Sequence, residues 1–474
     1  MSLALRAENA RGLVMKKSYE IDMCNGPLLG KLLLFTLPLM LSGILQLLFN
    51  AADIVVVGKF TGSQALAAVG STGALINLFV NVFIGFSIGT NVLVAQYFGA
   101  RDEKNVQETV HTSILLGMIG GILLIALGIL FAKPMLVWMG TPDDVLSQAV
   151  LYINVYFIGM PAMLVYNFGA AILRAIGDTR RPLYYLLIAG VINVILNMIF
   201  VIVLHMGVAG VATATVVSQV ISAVLIVRCL MQTEGMYHLD LHKLHIHKGK
   251  LVGIIRIGLP AGLQGAVFSI SNVLIQSSIN SFGSIAMAGS TAAGNIEGFV
   301  YTAMNSVYQT ALSFVSQNVG GGRQDRIPKI AWQCMMIVFI IGLVMGNAAY
   351  QFGNHLLGIY SSDPEVIQNG LVRMQLICQV YFLCGMMDVT VGILRGMGYA
   401  IMPMIVSLLG ACGLRVVWIF TIFRWKHSLF VLFLSYPITW TVTFAAHMIC
   451  LLVIWKRKKG AWAKIKPAEN RAAV

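Results

Sequence analysis

Charge is what this chain has least of. Only 11% of its 474 residues are Asp, Glu, Lys or Arg, against roughly a quarter in an ordinary soluble domain. That scarcity excludes a string of soluble domains, although the length alone would allow several. Catalytic signatures are missing too. There is no His-Glu-x-x-His and no Gly-x-Ser-x-Gly, so an enzyme is not expected. No Gly-rich loop ends in Gly-Lys-Ser/Thr, which removes ATP as an energy source. The seven cysteines, Cys24, Cys229, Cys334, Cys378, Cys384, Cys412 and Cys450, have no paired spacing and mostly sit in apolar segments. They read as small core residues, with no disulfide framework or zinc site. A cleavable signal peptide is not expected either, because the first 31 residues are polar and mixed, with Arg6, Arg11, Lys16, Lys17 and Lys31. Met15, followed by Lys-Lys, is an alternative start to Met1, and the choice stays open.

What is abundant is apolar sequence, 58% of the chain. Runs of about 20 residues, each enough to cross a bilayer as a helix, recur along nearly the whole length. Twelve spans are predicted: Leu32–Gly58, Leu66–Phe98, Val110–Phe131, Ala149–Leu173, Leu183–Leu204, Val208–Leu230, Leu251–Ile279, Ala286–Val319, Ile330–Phe352, Gly370–Leu394, Met402–Phe423 and Leu429–Trp455. The expected organisation is an N-terminal segment over 1–31, a first lobe over 32–231, a linker over 232–250, a second lobe over 251–455 and a basic tail over 456–474. A net charge of +14 raises nucleic acid as a partner, but the basic residues sit in short loops and at the tail. That placement fits anionic lipid and the positive-inside bias. Arg101, Lys104, Arg174, Arg180, Arg181, Lys243, Lys248, Lys250, Arg323, Arg326, Lys329 and Arg395 fall in one alternate set of loops, while the other set carries Asp143, Asp144, Asp363 and Glu365 beside few cations. Both termini are therefore expected in the cytoplasm of a multi-pass protein of the cell membrane.

The two halves repeat. Ile172-Leu173-Arg174-Ala175-Ile176-Gly177 returns as Ile393-Leu394-Arg395-Gly396-Met397-Gly398, a shift of 221 residues. Gln96-x-x-Gly99 returns at the same shift as Gln317-x-x-Gly320, and Gly62-Ser63-x-Ala65 as Gly283-Ser284-x-Ala286. Leu37-Pro38 returns as Leu259-Pro260, one residue out of register. Six spans per half is an even number, so the copies share one orientation and are related by an axis along the membrane normal. Two bundles with a cleft between them can rock about a midplane site, which is alternating access. A coupling ion, H+ or Na+, must then supply the energy, with no other cofactor expected.

Ionisable residues inside spans are costly and are candidates for function. Asp53 lies in the first span, with an interfacial position as the plainer reading. A lone carboxylate can take a proton, or ligate sodium among neutral oxygens. Asn193 and Asn197 supply such oxygens on one helix face, Thr213 and Thr215 in the sixth span add hydroxyls, and Asn167 is a further candidate; packing between helices is the alternative for these small polar groups. No other metal site is expected: the run His238, His242, His245, His247 reads as a solvated basic linker. The 221 shift carries Asp53 onto Leu274, Asn193 onto Leu414 and Asn197 onto Trp418, whereas Glu297, Asp388 and Arg415 map back to Ile76, Asn167 and Val194. Hence the expectation is a cation site in the first lobe and a separate polar set, Glu297, Asp388 and Arg415, lining a substrate cavity in the second. The two acids would attract cationic substrates, or Arg415 would neutralise one of them as an ion pair. Intramembrane Arg reads as nearly confined to Arg415, which favours cationic cargo. Met and Phe are plentiful and suit a greasy, adaptable cavity.

Leu173-Arg174-Ala175-x-Gly177-Asp178-Thr179, its partial copy Leu394-Arg395-Gly396-x-Gly398, Ala95-Gln96-x-x-Gly99-Ala100 and Asp53 together make the chain resemble the bacterial multidrug and toxic compound extrusion (MATE) family, from about Leu32 to Lys459. The resemblance implies an all-α membrane protein of twelve helices in two pseudo-twofold-related six-helix lobes forming a V, exporting organic cations or amphipathic drugs by H+ or Na+ antiport. It implies a first-lobe cation site at Asp53, Asn193, Asn197 and Thr215. The second fifth-span residue is Asp in several members and Asn197 here. Members with a second-lobe cation site carry a seventh-span Glu, absent here, and a tenth-span Asp where this chain has Cys384, so that site is not carried over. A flippase for lipid-linked precursors and a non-transporting receptor or scaffold are the rivals. One chain suffices for the two-lobe design, so a monomer is expected.

Overall fold

The computed structural model describes residues 19–462. The choice between Met1 and Met15, and the basic tail beyond Trp462, lie outside the described residues. Every regular element among them is helical. The first half contains α1 (Leu28–Phe60), α2 (Ser63–Gly99), α3 (Glu103–Trp138), a bent α4 (Asp143–Ile158 and Met160–Ala175), α5 (Arg180–Met198, continuing as a π-helical Ile199–Val203) and α6 (Gly207–Met231). The second half contains α7 (Lys248–Asn280), α8 (Ser284–Gly320), α9 (Ile327–Gln351), a bent α10 (Pro364–Ile377 and Phe382–Gly396), α11 (Ile401–Phe423, twice π-helical) and α12 (Leu429–Trp462).

Nine of the helices described are long and apolar enough to cross a membrane outright. Two more spans, α4 and α10, are bent pairs kinked by 48° and 47°. Pro161, at the start of the second half of α4, removes a backbone donor and crowds the preceding turn, which accounts for the first kink. The remaining span is α8, 37 residues long but rich in Gly, Ala, Ser, Thr and Asn. It can be that polar because it is surrounded by protein: it packs against α1, α2, α9 and α10 and buries much of its own surface. Small residues let helices approach where lipid gives no hydrophobic drive.

The sequence repeat is also a repeat of backbone. Gly62 and Gly283 take φ of +96° and +91°, and Gly177 and Gly398 take +100° and +90°. The π turn at Ile199–Val203 has its counterpart at Ile419–Phe423. The charges differ, but the turns coincide.

The lobes meet mainly at the end that carries the linker and the N-terminal segment. Gln96 Nε2 donates to the Gly396 carbonyl at 3.1 Å, and its copy Gln317 donates to the Ala175 carbonyl at 2.7 Å. Gly99 lies against the Gln317 carbonyl and Gly320 against that of Gln96; a Cβ on either would overlap the opposing backbone. Further into the membrane, Gly85 and Gly89 of α2 interlock with Gly258 and Gly262 of α7, a small-xxx-small seam on both helices. On the other side of the axis α1 and α8 are joined by the Thr36–Thr310 hydroxyl pair at 2.8 Å. Among the described residues, side-chain hydrogen bonds between lobes reach no further from this end than Asn81 and Ser269, near mid-helix in α2 and α7.

The stretch before α1 straps this end. Asn318 Nδ2 donates to the Met23 carbonyl at 3.0 Å in the second lobe, while Glu20 accepts from Tyr237 at 2.8 Å beside the first. Burial pushes the Cys24 thiol up to about 11, so it sits there as a neutral contact to the Gln317 carbonyl. The Gly177-Asp178-Thr179 end of the first-lobe motif, which the second lobe replaces by Gly398-Tyr399-Ala400, has a local role as well. Buried Asp178 accepts the backbone N–H of Arg180 and Arg181 and pairs with the Arg181 guanidinium, which anchors the start of α5.

Candidate cation site and cavity

The first-lobe cluster is built from three helices. Asp53 projects from α1, Asn193 and Asn197 lie one turn apart on α5, and Thr215 comes from α6. Both asparagines are buried and Asp53 is half-buried. Asn197 Nδ2 donates to Asp53 Oδ1 and, at 3.3 Å, to Asn193 Oδ1. Asn193 Nδ2 in turn lies 3.5 Å from Thr215 Oγ1, whose hydroxyl donates to the Val211 carbonyl at 3.0 Å. Asn197 Oδ1 is buried without a partner. The π turn begins at Ile199, two residues beyond Asn197, a kind of distortion often found beside functional groups.

Asn167, the other first-lobe candidate, returns its amide to the Met163 carbonyl at 2.9 Å and joins the cluster through no hydrogen bond. Thr213 likewise bonds back to Ala209 at 2.7 Å. Two tyrosines of α4 that the sequence reading passed over, Tyr152 and Tyr156, stack at 5.8 Å and lie within electrostatic reach of Asp53. Their four-residue spacing in an apolar span was the available signal. Among the described residues no group of three or more His, Cys, Asp or Glu could hold a metal ion, and this includes the linker histidines. Asp53 with three neutral oxygen-bearing neighbours suits a proton or a sodium ion as a transported species.

The second lobe holds a cavity of about 460 Å³. Glu297, Asp388 and Arg415 all line it, together with Arg373 and the aromatic side chains of Tyr301, Tyr381, Tyr436 and Trp440. Arg373 corrects two expectations. Intramembrane arginine is not nearly confined to Arg415, since Arg373 and Arg395 are also turned into the lobe. And the ion pair of Glu297 is made by Arg373: Nε and Nη2 reach the two carboxylate oxygens at 2.9 and 2.7 Å, and Nη1 donates to Ser290 at 2.7 Å. Arg373 falls only three residues inside the predicted tenth span and was not singled out in the sequence. Fork-to-fork geometry with Glu297 draws it inward instead.

Arg415 has no carboxylate within ion-pair distance among the described residues. It stacks over the Tyr436 ring at 4.0 Å and reaches Thr439 at 3.3 Å, leaving its buried Nε without a partner. Asp388, half-buried, faces the Tyr301 hydroxyl. Tyr436 and Tyr381 each pack on Trp440, at 5.4 and 5.3 Å, so the cavity wall is a continuous aromatic surface.

An all-helical, multi-pass membrane protein of two repeated lobes in a V, with a polar cluster in one and a cavity in the other, is the class these features define. The family model MatE matches twice, over residues 38–199 and 260–421, one match in each half. The chain belongs to this family. Among curated relatives it is similar to the probable multidrug resistance protein YoeA of Bacillus subtilis, 26% identical over 434 residues covering 90% of this chain and 94% of that one. It is 24% identical to the probable multidrug resistance protein NorM of Thermotoga maritima, covering 81% and 84% respectively. Among solved structures, the outward-facing conformation of a multidrug resistance MATE family transporter superposes with a TM-score of 0.87 at 20% identity, covering 95% of this chain and all of the other.

Proposed function

We propose that the chain exports organic cations and amphipathic drugs across the cytoplasmic membrane by alternating access, driven by inward flow of H+ or Na+ through the first-lobe cluster. The observation that carries this reading is the contact of Asp53 with Asn197 and, through it, with Asn193 and Thr215, three helices converging on one half-buried carboxylate. The names of the relatives, multidrug resistance proteins, support the cargo class.

Asn197 is the moving part of this mechanism. With its amide nitrogen on Asp53 it satisfies an ionised carboxylate. Flipped about its Cβ–Cγ bond, it would offer its carbonyl oxygen, now without a partner, either to the O–H of a protonated Asp53 or to a sodium ion. One carboxylate neutralises one positive charge, so the coupling ion enters one per cycle at this site. Rearrangement of α1, α5 and α6 around the ion then changes how the lobes lean. On the positive-inside bias the linker end is cytoplasmic, with both termini, so the lobes are closed toward the cytoplasm and await the ion from outside. One chain carries both lobes and acts as a monomer, with no cofactor beyond the coupling ion and no catalytic step.

The test is rhodamine 123 transport in proteoliposomes with a proton or sodium gradient imposed in turn. Uphill movement of the dye under one gradient, lost in Asp53→Asn, is expected. No dye movement under either gradient sinks the reading. A lipid-linked precursor flippase is the second reading, favoured by Arg373 and Arg415 in the second-lobe cavity; gradient-independent scrambling of a pyrophosphate-linked polyprenol would reveal it.

A further inference from the structure

The strap before α1 touches both lobes, and it changes lobe within one residue. The Tyr19 ring lies under the Arg181 guanidinium at 5.7 Å. Glu20 accepts from Tyr237, whose hydroxyl also takes Arg181 Nη2 at 3.1 Å. The Ile21 backbone covers Gly177: a Cβ on that glycine would meet the Ile21 carbonyl oxygen at 2.5 Å and its nitrogen at 2.6 Å. These partners all belong to the first lobe, Tyr237 by packing into its core. From Met23 onward the partners belong to the second. Met23 is fully buried in that lobe's core, with Asn318 on its carbonyl. Arg323 Nη1 donates to Asn25 Oδ1 at 2.9 Å, and Arg326 Nη2 to the Gly26 carbonyl at 2.8 Å. Asp22 alone separates the two sets, and it is folded into a turn. Its carboxylate accepts the backbone N–H of Cys24 at 2.9 Å and of Asn25 at 3.2 Å, and Lys31 Nζ donates to its carbonyl at 2.6 Å.

An extended chain spans at most about 3.5 Å per residue. One turned residue therefore has almost no slack, and the lobes cannot part at the linker end by more than a few ångströms while both sets hold. The first-lobe set is the weaker. Glu20 is exposed and Ile21 half-buried, against the fully buried Met23 and the two arginines that grip Asn25 and Gly26. We propose that Tyr19–Ile21 form a latch: seated on Gly177 and Tyr237 they hold the linker end closed, and they leave that seat each time the lobes part there. The duplicated turn shows that the seat is particular to one lobe. Gly398 has the same left-handed backbone as Gly177, φ +90° against +100°, yet no atom lies within 4 Å of where its Cβ would stand. The latch acts on the balance between closed and open chains, so it needs neither cargo nor coupling ion and stands apart from the efflux reading.

The two glycines supply a control. Gly177→Ala and Gly398→Ala put a similar strain on the same turn, and only Gly177→Ala also lifts Ile21 off its seat. Opening is read as the rate at which a maleimide alkylates Val92→Cys in the full chain in detergent, without any gradient. Val92 is fully buried among Ile257, Leu312 and Ala400 of the second lobe, so a thiol there reacts when the lobes part. Labelling of the chain's own cysteines is subtracted with the same variants lacking Val92→Cys. The expected result is labelling roughly five- to tenfold faster in Gly177→Ala than in Gly398→Ala, the value of about one hydrogen-bonded contact. Deleting residues 2–21 should have the same effect relative to deleting residues 2–18, which spares the latch, and that pair carries the test where an alanine variant fails to fold. Tyr237→Phe, which removes only the hydroxyl that Glu20 holds, should give a smaller rise of roughly two- to threefold. Equal rates in either pair, or slower labelling once the latch is lost, overturn the proposal. Uphill rhodamine 123 transport, measured separately, decides the efflux reading on its own.

Discussion

The two lobes share a backbone and differ in how they treat charge. In the first, Asp53 has no ion-pair partner among the described residues and is satisfied by a neutral amide. In the second, Glu297 is locked to Arg373 by two short hydrogen bonds. A neutral partner can be exchanged for an ion at little cost, whereas a guanidinium cannot be withdrawn without stranding a buried charge. The same scaffold therefore carries a carboxylate free to change state and a carboxylate held for structure. The sharpest break of this contrast is Asp53→Asn. Gradient-driven dye flux in proteoliposomes should fall to background while the melting temperature of the detergent-solubilised protein stays nearly unchanged. A large loss of stability in that variant would make Asp53 structural, like Glu297.

Glu297→Gln should do the reverse. It leaves Arg373 buried and half-matched, a defect worth about 3–5 kcal/mol. Thermal unfolding in detergent should show it directly, and Glu297→Gln combined with Arg373→Met should recover most of the loss. If the double variant is as unstable as the single one, the pair is not what makes Glu297 necessary.

How much of this contrast was legible in the chain follows from where each signal lives. The duplicated scaffold was readable because the turns Gly177 and Gly398 need the same backbone and so keep the same residue at one spacing. The first-lobe cluster was readable because Asn193 and Asn197 share one helix face, and a face needs no tertiary information. Arg373 was not, because its inward turn depends on Glu297, 76 residues away. The crossing of α2 and α7 was hidden for a similar reason: Gly85, Gly89, Gly258 and Gly262 are ordinary in an apolar span until they are seen facing one another. Span α8 was counted among the apolar runs although it fails a stricter apolar test, and its flanks repeat those of α2.

That crossing gives the next comparison, between the glycine seam on one side of the axis and the Thr36–Thr310 contact on the other. Gly89→Leu forces the backbones of α2 and α7 apart and should cost the closed arrangement about 1–3 kcal/mol. Thr36→Val loses one hydroxyl contact and should cost about 0.5–1.5 kcal/mol. Both are measurable as the fraction of closed molecules from spin-label distances across the linker end. Equal shifts would mean that the two seams bear the lobe contact alike, against the difference in their chemistry.

The smallest effect probes where the lobes are most alike. Gln96 and Gln317 are copies, and each reaches across to the carbonyl at the end of the opposite lobe's repeated motif, Gly396 and Ala175. A pseudo-twofold axis makes these two bonds one interaction seen twice, so replacing either glutamine by Leu should remove about 0.5–1.5 kcal/mol from the closed state. The same spin-label distances would record a modest and nearly equal opening in Gln96→Leu and Gln317→Leu, with the double variant showing their sum. The bond lengths hint at a slightly firmer contact for Gln317 at 2.7 Å than for Gln96 at 3.1 Å. Among the described residues, Gln317 and not Gln96 also takes the Cys24 thiol, on its backbone carbonyl, so one strand of the N-terminal strap lies beside that copy. A clearly larger opening in Gln317→Leu would therefore extend the asymmetry of the lobes from their charges to the clamp that closes them.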